Sequence, residues 1–203
     1  MKLSKDVQKD ILMEGFQSLK SDYEENYSEI SEIIGKMAAI DIEIAMDMWE
    51  HILTSNPRFI TNNAGYLNDN KAYDITSNVL YNICKSIGDI EAAEIISTRP
   101  KVKQIIFGKS ANVDSNQCTI IAQYILQGNF EIADEVLKLV KSNKYNKGKG
   151  FSMTIGSIFQ DIFDRLHSDI SENMLEFLYQ WIQQLEDPKE KAKANVRFLN
   201  LLK

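Results

Sequence analysis

The amino-acid sequence predicts an all-α protein: an α-α superhelix, or solenoid, of about four stacked helix pairs with a capping helix at each end. Three observations carry that prediction. The 203 residues hold only 3 Pro and 9 Gly and lean on Ile, Leu, Glu, Lys and Ala, which favours helices and leaves few places to turn a β-rich chain. Apolar residues recur at spacings of three and four through most of the chain. The phrase GDIEAAEIIS at 88–97 returns as GNFEIADEVL at 128–137, a shift of 40 residues, with a fainter echo in IDIEIAMDMW at 40–49. A period in the range of roughly 20–50 residues, built of helix pairs that cannot each bury an apolar face alone, marks a stacked array.

The elements follow in order and make one helical-repeat domain of residues 1–203. Residues 4–20 form the first cap, with Val7, Ile11, Leu12, Phe16 and Leu19 on one face. The first pair spans 26–55: NYSEISEIIGKM is its weaker first helix, and Ile42, Ala45, Met46, Trp49, Ile52 and Leu53 line the second. The Asn- and Gly-rich TNNAGYLNDN at 61–70 is a loop. In the second pair, 74–97, Ile75, Val79, Leu80, Ile83 and Ile87 precede Gly88. In the third, 114–143, Ile121, Tyr124 and Ile125 precede Gly128, and Phe130, Ala133, Leu137 and Val140 follow it. The fourth, 154–185, carries Ile155, Ile158, Phe159, Ile162, Phe163 and Leu166, then Met174, Leu175, Leu178, Trp181, Ile182 and Leu185. The last cap, 187–203, opens with Asp187 as N-cap and Pro188 at the first helical position, and Glu190 is placed to close a capping box. Within each echo, Gly stops one helix and Asp or Asn caps the next.

AQYILQGNFEIADEVL resembles the second half of a tetratricopeptide helix pair: Tyr124, Gly128-Asn129, Ala133 and Leu137 stand where that family has Tyr, Gly-Asp or Gly-Asn, Ala and a large apolar residue. The pattern is clearest over 114–140, and the 40-residue period is similar to that of HEAT-like pairs. The resemblance implies a right-handed α-α superhelix that binds a protein or peptide, usually on its concave face.

Composition narrows the function. A net charge of −6 argues against non-specific nucleic-acid binding, because neutralising phosphates needs a basic surface. Charged residues break the first apolar stretch, and no later run is long enough to span a membrane, so a cytoplasmic protein is expected. Cys84 and Cys118 lack the spacing of a zinc site and read as reduced thiols. No catalytic residue, metal site or cofactor is expected. FGKSA at 107–111 lacks the earlier Gly and the preceding strand of a phosphate loop; NKGKGF at 146–151 lacks any strand-loop-helix frame. Of the two histidines, His51 is isolated, while His167 shares two helical turns with Asp161 and Asp164 opposite a full apolar stripe. Those three read as a solvated face; convergence on a cation or an acid–base role is the competing account.

Charge is segregated along the chain. Residues 1–50 carry 12 acids against 5 Lys, and residues 99–150 carry 9 Lys or Arg against 4 acids. Acids gather where the second helix of each pair begins (Asp41, Glu43, Asp89, Glu91, Glu131, Asp134, Asp169), and bases where it ends (Arg99, Lys101, Lys103, Lys138, Lys141, Lys144). The helix macrodipole accounts for much of this. Lys109, Lys147 and Lys149, however, fall in loops beyond the last turn. In a stacked array the two sets become opposite edges, and Lys101, Lys103, Lys109, Lys141, Lys144, Lys147 and Lys149 are the candidate partner-binding residues for an acidic partner. The expected function is a non-enzymatic module binding a protein or peptide. An immunity or antitoxin-type inhibitor of a basic toxin is one alternative, motivated by the acidic first quarter. A peptide-sensing regulatory domain, with Tyr81 or Tyr124 exposed in a groove, is another.

Overall fold

The computed structural model describes residues 3–23, 25–55, 70–108, 115–142, 155–156, 158–160, 162–164 and 170–202. Among these the regular structure is helical throughout. The residues fall into two compact units, Met1–Lys109 and Ser110–Lys203.

In the first unit α1 (Lys5–Leu19) starts at Ser4, whose hydroxyl accepts the Val7 N–H at 3.4 Å, and runs into a 3-10 turn at Lys20–Asp22. Next, α2 (Tyr27–Ala38) buries Ile30, Ile34, Met37 and Ala38 along one stripe. A short connection leads to α3 (Ile42–Ser55), where Asp41 accepts the Ile44 N–H at 3.2 Å. That helix buries Ala45, Met46, Trp49, Ile52 and Leu53, as the sequence spacing predicts.

The most extensive contact of this unit joins α2 to α4 (Asn70–Ile87), which buries Val79, Leu80 and Ile83. Gly35 makes the contact possible: a Cβ built on it would lie 2.5 Å from Asn82 Cβ and 3.1 Å from the Asn82 backbone. Gly88 then ends α4 with φ 96° and ψ 158°, a conformation open in practice to glycine alone, and α5 (Asp89–Ser97) starts at once. The turn at Thr98 and Arg99 leads into α6 (Pro100–Gly108), with Pro at the first position, where a missing N–H costs nothing. This helix occupies part of what the sequence spacing assigns to the 99–114 connection. It buries Val102, Ile105, Ile106 and Phe107 and packs on α3 and α5.

The second unit begins with α7 (Ser115–Leu126), buried without interruption from Gln117 to Ile125. A helix apolar on most faces belongs in an interior. Its end forms a Schellman motif: Gly128 N–H donates to Ile125 O at 3.0 Å and Asn129 N–H to Tyr124 O at 2.8 Å, with Gly128 at φ 74°. After this turn, α8 (Phe130–Ser142) buries Ala133, Val136, Leu137 and Val140. Helical residues 155–164, where described, bury Ile155, Ile158, Phe159 and Ile162.

A Ser171 N-cap opens α9 (Glu172–Gln183), which buries Met174, Leu178, Trp181 and Ile182, and the Phe177 ring lies 5.2 Å from that of Phe130. Last comes α10 (Pro188–Leu201), capped as its sequence predicts: the Asp187 carboxylate accepts the Lys189 and Glu190 N–H groups at 2.9 and 3.4 Å. The Glu190 carboxylate pairs with Lys193 at 2.8 Å.

Two glycines separate two kinds of constraint, and alanine tells them apart. Gly35→Ala drives a methyl into Asn82 and is expected to destabilise the protein by about 1–3 kcal/mol, partly offset by better helix propensity. Gly128→Ala meets no atom within 4 Å, so its cost of about 1–2 kcal/mol is purely conformational. Urea unfolding should show that D-Ala, introduced by semisynthesis at 128, restores stability. An L-Ala variant as stable as the parent chain would refute the assignment.

Candidate functional site: a groove under the first helix

The first unit carries an open groove of about 750 Å³. One wall is α1, through Leu3, Ile11 and Leu12 with Lys5 and Gln8; the other is the end of α2, through Lys36, Ala39 and Ile40; Ser86, in the last turn of α4, completes it. The lining is mainly apolar and the two cations are lysines.

The groove exists because α1 is only half covered. At 3.6 residues per turn, Ile11 stands about 100° round the helix from Leu12 and about 140° from Phe16. Phe16 is buried, its ring edge-on to His51 at 6.3 Å, whereas Leu3, Val7 and Ile11 are 47, 43 and 53% exposed. Sequence spacing places Val7, Ile11, Leu12, Phe16 and Leu19 on a single face. The fold divides them: Phe16 is buried, Leu12 and Leu19 are half-buried, and Val7 and Ile11 are exposed.

Two contacts hold α1 in place. A Cβ on Gly15 would touch Ile33 Cδ1 at 3.3 Å, so α1 and α2 run close there. Lys9 Nζ lies 2.8 Å from Asp41 Oδ2, linking the helix to the α2–α3 connection. The Lys9 hydrogen bond, and then the Ile44 N–H, hold the Asp41 carboxyl below its ordinary value. A depressed carboxylate pKa stabilises the fold above the unfolded value and loses that contribution as pH falls through the folded one. Hydrogen exchange of the α1 amides, corrected for intrinsic rate, should therefore quicken relative to α2 below the usual carboxylate range. Asp41→Asn should show fast α1 exchange already at neutral pH; an unchanged profile would disprove the tether.

Several of the charged residues singled out by the sequence, where described, make contacts within the chain. Glu43, Asp47 and Glu50 form a column on α3, and Arg99, at the α5–α6 corner, reaches all three: it donates to Glu43, to Asp47 Oδ1 at 2.7 Å, and lies 4.0 Å from Glu50. Burial lowers the Arg99 pKa, but the Asp47 and Glu43 hydrogen bonds outweigh it and the net shift is upward. Lys101 pairs with Glu50 at 2.9 Å. Glu43 and the bases Arg99 and Lys101, assigned by sequence to opposite edges, thus share one surface, because α6 folds back onto α3. Lys103 is buried at 6% exposure. In the second unit Lys141 donates to Gln184 Oε1 at 2.9 Å and stands 6.0 Å over the Trp181 ring. Lys109, Lys144, Lys147 and Lys149 lie outside the described residues.

Of the remaining candidates, Asp164 accepts from Gln160 Nε2 at 2.7 and 2.8 Å, while Asp161 and His167 lie outside the described residues. Tyr81 is half exposed and Tyr124 fully buried. Burial, and then the Glu135 charge, raise the Tyr124 hydroxyl well above the ordinary phenol value, so it stays protonated. Cys84 is half-buried and Cys118 buried, and neither forms a disulfide. Among the described residues no group of three or more His, Cys, Asp or Glu gathers to hold a metal, and no helix is long and apolar enough to cross a membrane.

No family model, curated protein or solved structure matches the chain. The tetratricopeptide resemblance accordingly rests on the pattern at 114–140.

The Arg99 cluster makes a testable claim about packing. Arg99→Lys replaces a planar fork by a point charge that cannot span Glu43 and Asp47, and Arg99→Ala leaves three carboxylates side by side. Because Glu43 and Asp47 are largely exposed, losses of about 1 kcal/mol or less for Lys, and somewhat more for Ala, are expected at low salt. Both should shrink in 0.5 M salt when followed by urea denaturation; a salt-independent loss would assign Arg99 a packing role instead.

Proposed function

We propose that this protein is a non-enzymatic interaction module in which stacked helix pairs present the α1 groove to an amphipathic segment of a protein or peptide partner. One observation supports this above the rest: an apolar stripe, Leu3–Val7–Ile11, stands beside an apolar groove with nothing packed on it among the described residues. Scattered single apolar residues are ordinary on a surface, but a stripe bordering a concavity marks a place for another chain. Lys5 and Lys36 at the groove favour an acidic group on the partner, although Lys36 already pairs with Glu32 at 2.7 Å.

The stacked arrangement draws support from α2 meeting α4, the first helices of the first two pairs, while α3 is met by α6, the helix between the second and third pairs. The described members of the lysine edge weigh against that edge as the main binding surface: Lys101 and Lys141 are engaged internally and Lys103 is buried.

Photo-crosslinking in the source cell tests the proposal. A benzoylphenylalanine at Ile11 should give a discrete protein adduct that Ile40→Asp abolishes, and the same probe at Glu94, exposed on α5, should give none. Equal labelling from both positions, or no adduct at Ile11, would remove the groove as a binding site.

A further inference from the structure

A second surface with no neighbour among the described residues lies in the other unit. The inner side of α10 is occupied, with Ala194 and Phe198 buried and the Phe198 ring 5.8 Å from that of Tyr179. Its outer side is not: Val196, Leu199 and Leu202 are 61, 57 and 54% exposed. Ala192, Asn195, Leu199 and Leu202 come one after another at spacings of three, four and three, the period of a helix–helix seam, and Val196 widens it. Beside that seam stand Lys189 and Lys193, about 80° and 120° round the helix from Leu199, whereas Arg197 is turned away and donates to the Gly156 carbonyl at 3.4 Å. The only acid of the helix, Glu190, is turned inward beside Gly156, with Lys193 on it at 2.8 Å.

We propose that this face of α10 docks a single amphipathic helix whose apolar seam is flanked by Glu or Asp. Charge complementarity selects the occupant. A second copy of α10 would bring Lys189 and Lys193 against a face that offers no acid in return. An anionic lipid surface would be met by an apolar strip interrupted by Asn195, whereas a helix lying in a membrane presents an unbroken apolar arc. A partner helix fits both features, since a polar residue within a seam is accommodated by a facing polar residue and fixes the register. This face belongs to the second unit and the α1 groove to the first, and the proposal does not rest on that groove.

The test uses the full chain and two labelled synthetic helices of roughly three heptads, each with Leu along one seam and flanked either by Glu or by Lys. Fluorescence anisotropy should show the Glu helix binding and the Lys helix not. Leu199→Asp should weaken the Glu helix about tenfold or more, and Lys189→Glu with Lys193→Glu should weaken it while admitting the Lys helix. These positions are exposed, so circular dichroism should match the parent chain. Ile11→Asp should leave the affinity unchanged, which separates this face from the groove. Equal binding of the two peptides, binding of neither, or indifference to Leu199→Asp would overturn the proposal. Partition onto phosphatidylserine vesicles without peptide binding, or a dimer in sedimentation that Leu199→Asp dissolves, would overturn it in favour of lipid or self-association.

Discussion

The approach of α2 to α4 at Gly35 is the constraint on which the first unit is built. A single hydrogen at that position lets the two backbones come close enough for Asn82 to occupy the space a side chain would fill. Once these two helices are set, their successors in the chain have little freedom. Three residues separate α2 from α3, and Gly88 alone separates α4 from α5. Such short links fix the directions of α3 and α5, and α6 then has one place to return, against α3, where Arg99 meets Glu43 and Asp47. The groove is the other result: α2 and α4 finish side by side, and α1 roofs the space beyond their ends along only part of its width.

Charge segregation has an internal use. A net charge of −6 with the acids early and the bases in the middle invites a search for an external partner of opposite sign. In the first unit the opposite sign is supplied by the chain itself, 52 to 56 residues on, across the α3–α6 contact. Exposed pairs of this kind add little stability singly. Their greater effect is on specificity: a column of three acids admits an arginine at one place and repels a carboxylate everywhere along it. Among the described residues of the first unit, the stripe left uncovered is apolar: Leu3, Val7 and Ile11.

Helix positions are legible from spacing and from a few punctuating residues. The Gly88 and Gly128 turns, the Asp187-Pro188 start and the helices of the pairs are local features, so local signals report them. The features that are not legible depend on neighbours. Periodicity shows that Val7 and Phe16 are both apolar and near one another on α1, but not that a neighbour covers one and spares the other. Lys103 carries the same charge as Lys101, yet lies on the side of α6 that faces inward. Most of the predicted lysine edge falls outside the described residues, and the groove leaves no signature in the sequence because its walls come from three helices whose lining residues share no motif.

The burial of α7 from Gln117 to Ile125 has a consequence for how the second unit opens. An amide in the middle of a helix wrapped on every side reaches water only when the surrounding helices part, so these protons exchange by the rarest openings of that unit. They form a built-in gauge: their slowest common rate reports the free energy of opening the unit, against which the looser motions of α8 and α10 can be ranked residue by residue.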